Sequence, residues 1–203
     1  MMRRGFFLII VCFLILLTAC RHSAAIETPP LSFDTFPLGA AAEELLPALG
    51  ISQAYEGDGL YGLMGDELAA SPYGIQLAGV SVDHIGLMAT DGVLQYFCYD
   101  FYATQFENPE AFFTAIVQWH ADLDKALTEQ GFLRVSKNLD QVKSAADYAG
   151  SSKQYATRWM KDDLVMDFSL TGKTADSAQC KVLLRDGYQI TERDREMVAA
   201  QRQ

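Results

Sequence analysis

The chain has 203 residues, half of them apolar, 21% charged and 11% aromatic. That composition excludes a collagen-like, repeat-built or wholly disordered chain and suits one compact domain, or two small ones, with a sizeable core. Lys and Arg number 16 against 26 Asp and Glu, a net charge of −10, which argues against a nucleic-acid-binding surface.

The N-terminus carries the strongest signal. Met1-Met2-Arg3-Arg4 is a short basic stretch, and residues 5–17 are almost wholly apolar. The apolar run is short for a membrane span, which needs about 20 residues. It reads as the core of a signal peptide. Leu17-Thr18-Ala19-Cys20 follows, and this stretch resembles the lipobox of bacterial lipoprotein signal peptides. The resemblance implies a diacylglycerol on the Cys20 thiol and cleavage before that residue. Residues 1–19 are then the signal, 20–32 a lipidated tether with Ala24-Ala25 and Pro29-Pro30, and 33–203 one extracytoplasmic domain. The alternative is an ordinary secretory signal with Cys20 incidental. Loss of Arg3 and Arg4 leaves 14 − 26 = −12 on the mature chain. Anionic head groups repel such a domain, so the acyl chains are expected to hold it on the bilayer, each buried CH₂ contributing about 0.8 kcal/mol.

Of the four cysteines, Cys12 falls in the signal and Cys20 at the lipidation position, which leaves Cys98 and Cys180. A disulfide between them is permitted outside the cytoplasm. It is not implied, because each sits in an apolar strand-like run and free Cys is often simply buried. No Cys-x-x-Cys occurs, and His22, His84 and His120 are far apart, so neither a metal site nor a cofactor is expected.

Residues 37–50 read as a short helix with Leu45, Leu46 and Leu49 on one face, Gly50 as its stop and Pro47 as a late interruption. Residues 51–72 are Gly-rich and read as loop with at most one short strand. Residues 73–79, 81–90 and 93–102 read as strands, the last two joined by Asp91-Gly92, a tight-turn pair. Asn108-Pro109-Glu110 opens a helix that runs to Gln130 and stops at Gly131. Phe113, Ile116, Val117, His120, Leu123 and Leu127 form its apolar stripe. Residues 132–136 read as a strand, 138–152 as a polar connection. A second hairpin, 154–160 and 164–170, turns at Asp162-Asp163, and a further strand covers 179–185. Thr191-Glu192-Arg193-Asp194 resembles a capping box with Asp in place of Glu or Gln. It opens a polar C-terminal helix expected to lie on the surface or fray.

The order is helix, strands, long helix, strands, tail helix, which predicts an α+β domain built from two helix-then-antiparallel-sheet units. This pattern resembles β-lactamase-inhibitory-protein-like folds of small bacterial lipoproteins, in which such units join into one curved sheet. Their first helix often carries Gly, then a hydroxyl residue; Gly39-Ala40-Ala41 lacks the hydroxyl.

Candidate sites follow from hairpin arithmetic. With Asp91-Gly92 as a two-residue turn, paired residues sum to 183. One face then holds Ile85, Leu87, Ala89, Leu94, Tyr96 and Cys98, and the other Val82, His84, Met88, Gln95, Phe97, Tyr99 and Phe101. The second set is too aromatic for a solvated face. Either another element covers it, or His84, Phe97, Tyr99 and Phe101 form an exposed binding face. In the second hairpin pairs sum to 325, placing Arg158 opposite Asp167 on a solvated face. His120 reads as a hydrogen-bonded core residue. Asp58-Gly59 and Asp66-Glu67 lack the ligand spacing of a calcium loop.

Ser, His and Cys occur with no recognisable catalytic spacing, and no phosphate-binding or dinucleotide motif is present. The leading expectation is a membrane-anchored envelope lipoprotein that binds a partner protein without catalysis. The alternatives are an envelope hydrolase with an unrecognised site and a small-ligand-binding lipoprotein. The hydrolase requires His84 or His120 in a cleft beside a nucleophile or carboxylate.

Overall fold

The computed structural model describes residues 36–51, 59–149, 154–186 and 190–201. The signal peptide, Cys20 and the tether assigned from sequence lie outside these residues, and so does Asp58. The described chain is an α+β fold: helices packed on a seven-stranded antiparallel sheet, with a two-stranded ribbon beside it.

Helix α1 spans Ala42–Ala48, shorter than the 37–50 expected, and Pro47 falls near its end. The stretch read as loop contains strand β1 (Leu60–Met64) and helix α2 (Gly65–Ala70). Only Gln76–Leu77 of the expected 73–79 strand is regular. This is β2, and it pairs with β3 (Val80–Ser81) through a turn at Ala78-Gly79. Strands β4 (His84–Thr90) and β5 (Val93–Tyr102) follow. The long helix α3 runs Pro109–Glu129, with the Asn108 side chain accepting from the Ala111 N–H at 2.9 Å as its N-cap. Strand β6 (Leu133–Lys137), helix α4 (Ala145–Tyr148), strands β7 (Tyr155–Lys161), β8 (Leu164–Thr171) and β9 (Gln179–Asp186), and helix α5 (Glu192–Gln201) complete the chain.

The strand order is β1-β4-β5-β9-β8-β7-β6. Each half contributes a continuous block, and the halves join where β5 pairs with β9. Helix α3 lies across the inner face and buries Phe112, Phe113, Ile116, Trp119, Leu123 and Leu127 there. These positions follow the 3.6-residue period of a stripe facing one side.

The first hairpin departs from simple arithmetic. Asp91 and Gly92 both have positive φ (52° and 77°), as a primed two-residue turn requires. Near the turn, pairs do sum to 183: Ala89 faces Leu94 and Thr90 faces Val93. Beyond it the register shifts, and Met88 faces Tyr96, Leu87 faces Phe97 and Ile85 faces Tyr99, a sum of 184. A β-bulge inserts one residue in β5. It moves every later side chain of that strand to the opposite face. The two faces expected from the sequence are therefore wrong beyond Leu94. The inner face carries Ile85, Leu87, Ala89, Leu94, Phe97, Tyr99 and Phe101, whereas Tyr96 and Cys98 turn outward with His84 and Met88.

The second hairpin keeps its expected register. Tyr155 faces Leu170, Trp159 faces Met166 and Arg158 faces Asp167. The Arg158 face is not solvated, however, because α5 covers it. Met197 and Val198 of α5, with Ile190, pack on Val135, Met160 and Val165. The Asp194 carboxylate accepts from Arg158 at 2.8 Å and from the Thr191 N–H and hydroxyl at 3.0 and 2.7 Å. Asp serves in the capping box because the same carboxylate also reaches the sheet. The tail helix is thus docked, by a small apolar cluster and a buried acid.

Candidate functional site

Phe97, Tyr99 and Phe101 have no exposed surface. Phe36 and Tyr73 lie tilted against Phe97 at 4.9 and 5.1 Å, and the Tyr99 hydroxyl donates to the Tyr73 carbonyl at 3.1 Å. Burial pushes the Tyr99 hydroxyl well above its ordinary pKa. Phe101 meets Trp119 edge-on at 5.6 Å. Of the two sequence readings of this aromatic set, covered face or exposed binding face, the second does not describe Phe97, Tyr99 and Phe101, which are core, and the structure does not bring His84 to them. His84 is half-buried at the start of β4 on the outer face, where a Cβ built on Gly86 would lie 3.7 Å from its Cε1.

The outer face around His84 is mixed. Asp100 accepts from Gln179 Nε2 at 2.9 Å and lies 3.8 Å from both Lys181 Nζ and Cys98 Sγ. Burial, then the Asp100 charge, pushes the Cys98 thiol up to about 12, so it stays protonated and unreactive near neutral pH. Cys180 lies opposite Phe101 on the inner face and is fully buried. The two cysteines occupy opposite sides of the sheet, and both are free.

Two concave regions flank α3. The smaller, of about 200 Å³, is lined by His120, Asp124, Arg134, Asp140, Lys143 and neighbouring apolar groups. His120 Nε2 lies 2.9 Å from Thr157 Oγ1, so a histidine does meet a hydroxyl here. Thr157 has no exposed surface, and a substrate cannot reach its oxygen. Burial lowers the His120 pKa against the pull of Asp140 and Asp124, keeping the ring neutral near pH 7. Asp124 accepts from the Trp159 indole at 2.7 Å and pairs with Arg134, which also donates to Asp140 at 2.9 Å. Burial opposes ionisation of Asp124, but the Arg134 and Trp159 hydrogen bonds outweigh it and hold the carboxyl below its ordinary range. These groups are spent on fastening α3 to β6 and β7. Among the described residues no cluster of metal-ligating side chains occurs.

The larger region is an open groove of about 1320 Å³ between α3 and the β2–β3 turn. Leu77, Ala78, Ala111, Ala115, Trp119 and Ala126 supply its apolar surface. Its α3 residues recur every three or four positions, which places them along one side of a helix about 30 Å long. Trp119 is 4% exposed, and its indole N–H has no hydrogen-bond acceptor among the described residues. A buried donor without a partner is costly. The sequence offered one hint of this groove, the small residues Ala111, Ala115 and Ala126 within an otherwise bulky helix. Its second wall was not legible, because the β2–β3 turn lies in a stretch with weak pattern. Comparison with known proteins finds no match among family models, curated proteins or solved structures.

Proposed function

We propose that the protein is a lipid-anchored lipoprotein of the bacterial cell envelope, facing outside the cytoplasm, whose domain binds a protein partner and carries out no chemistry of its own. The observation that carries the anchor is the succession of Arg3-Arg4, the apolar run and Leu17-Thr18-Ala19-Cys20. Cys20 is the lipidation residue in this reading, and the bilayer is reached only through its acyl chains. The net charge of −12 beyond residue 19 supports an anchor that does not depend on the domain surface. Support for binding rather than catalysis comes from α3. Its one histidine–hydroxyl pair is sealed, while its other flank is open and apolar.

Mass spectrometry of the N-terminal peptide, from protein expressed in a bacterial host, tests the anchor. The expected peptide begins at Cys20 and carries a diacylglyceryl group, and the Cys20→Ser variant loses both the lipid and membrane retention. A peptide with a free Cys20 thiol, or one starting elsewhere, would overturn the proposal.

A further inference from the structure

We propose that the groove beside α3 is the partner-binding site and that it receives an amphipathic helix with an apolar face and basic flanks. The inference rests on reading the domain as a binding module and names the partner's chemistry.

Shape and charge both favour that occupant. The groove follows the length of α3, so a second helix can lie along it. Ala111 and Ala115, four residues apart, leave α3 with little side-chain bulk there and allow close approach. Helix-in-groove recognition uses such apolar channels, read by side chains at helical spacing. The rim carries Glu110, Asp122 and Glu129 against Lys125 alone, and the domain as a whole is strongly acidic. An anionic lipid or an acidic peptide would meet this rim with like charge, whereas Lys or Arg on a partner helix would complement it.

Two further features mark the walls of the groove. Trp119 lines the groove, and its indole N–H is buried without an acceptor among the described residues. Ala78, on the opposite wall, holds a φ of +49°. That conformation is costly for a residue with a Cβ, and Asn, Asp or Gly is usual in such a turn. It sets a methyl group, in place of a polar side chain, at the groove's edge.

The test uses the full chain in nanodiscs of neutral phosphatidylcholine, labelled with 5-fluorotryptophan. The chain has two tryptophans, and Trp159, bonded to Asp124, is the internal control. The probe is an 18-residue helical peptide of Leu and Lys with Leu on one face; a Leu/Glu counterpart and empty nanodiscs are the controls. The Trp119 resonance is expected to move saturably with the Lys peptide while Trp159 stays in place, and the Glu peptide should bind about tenfold more weakly. Asp122→Lys/Glu129→Lys, both at exposed positions, should reverse that order. Thr114→Trp, which fills the groove from an exposed position, should abolish the shift. An unmoved Trp119, or binding unchanged in Thr114→Trp, would overturn the proposal. An equal shift with neutral octyl glucoside monomers would make the groove a lipid site and overturn it as well. Failure here leaves the Cys20 anchor untouched, and failure of the anchor leaves the groove untouched.

Discussion

Tyr99 shows how one side chain's role is settled by what lies over it. Its ring is sealed beneath Phe36 and Tyr73, and its hydroxyl has found the Tyr73 carbonyl. Removing the ring should therefore cost what a core aromatic costs. Tyr99→Ala is expected to lower the unfolding free energy by about 3–5 kcal/mol, and Tyr99→Phe, which loses one hydrogen bond, by about 1 kcal/mol. His84→Ala, half-buried on the outer face, should stay within about 0.5 kcal/mol. Urea titration of the three variants checks this, and equal losses at Tyr99 and His84 would contradict the burial difference. His120 makes a pH-dependent prediction. Burial lowers its pKa in the folded protein, while the unfolded side chain titrates near 6.5. Below about pH 6.5 the unfolded chain takes up a proton that the folded protein refuses, so stability falls as pH falls. Above that value the contribution is complete. His120→Gln keeps a polar partner for Thr157 and removes the titration, so its urea midpoint should change less than wild type between pH 7 and pH 5.5. A parallel fall in both proteins would assign the acid loss elsewhere.

Among the elements, those written by period and by turn chemistry were legible in the sequence. The stripe from Phe113 to Leu127 and the cap at Asn108 gave α3 within a residue of its observed ends. The Asp162-Asp163 hairpin kept its two-residue register because nothing interrupts it. The β4–β5 hairpin shows where such reading stops. Its turn was correct and its first two pairs were correct, but a bulge near Gln95 changed the parity of the strand. Alternation cannot reveal a bulge when both parities of a strand are apolar, as in Tyr96-Phe97-Cys98-Tyr99. The one sequence signal was the excess of aromatic rings on the face opposite the expected core, and the bulge explains it by carrying them inside. α2 was missed and β1 was foreseen only as one unplaced short strand, because Gly59, Gly62 and Gly65 dilute any pattern there. Element-level energetics make a test at the other end of the chain. Asp194 both completes the cap of α5 and holds Arg158. Asp194→Ala should destabilise the protein by about 2 kcal/mol, the sum of a lost cap and a lost charged hydrogen bond. Hydrogen exchange should rise first across 192–201. Unchanged protection there would mean that Met197 and Val198 alone hold the helix.

Across the whole molecule the two helix-then-strand units share one sheet and one core. The pairing of β5 with β9 is as regular as the pairing within either half, running from Tyr96–Arg185 to Tyr102–Gln179. Helix α3 belongs to neither half alone. Trp119 lies edge-on to Phe101 of the first unit at 5.6 Å and to Phe168 of the second at 5.3 Å, and His120 continues the contact to Trp159. Neither unit can expose its inner face without stripping the apolar cover from the other, and a sheet cut between β5 and β9 would present two unpaired edges. Such coupling predicts one cooperative transition. Far-ultraviolet circular dichroism reports the sheet, and tryptophan fluorescence reports Trp119 and Trp159 at the junction under α3. The two should give coincident urea curves with a single midpoint. Phe101→Leu, in the first unit, should shift both curves together by the same amount, although both tryptophans lie outside that unit's strands. A fluorescence curve that stays in place while the dichroism curve splits would show two independent units and would remove the shared core from the account of this fold.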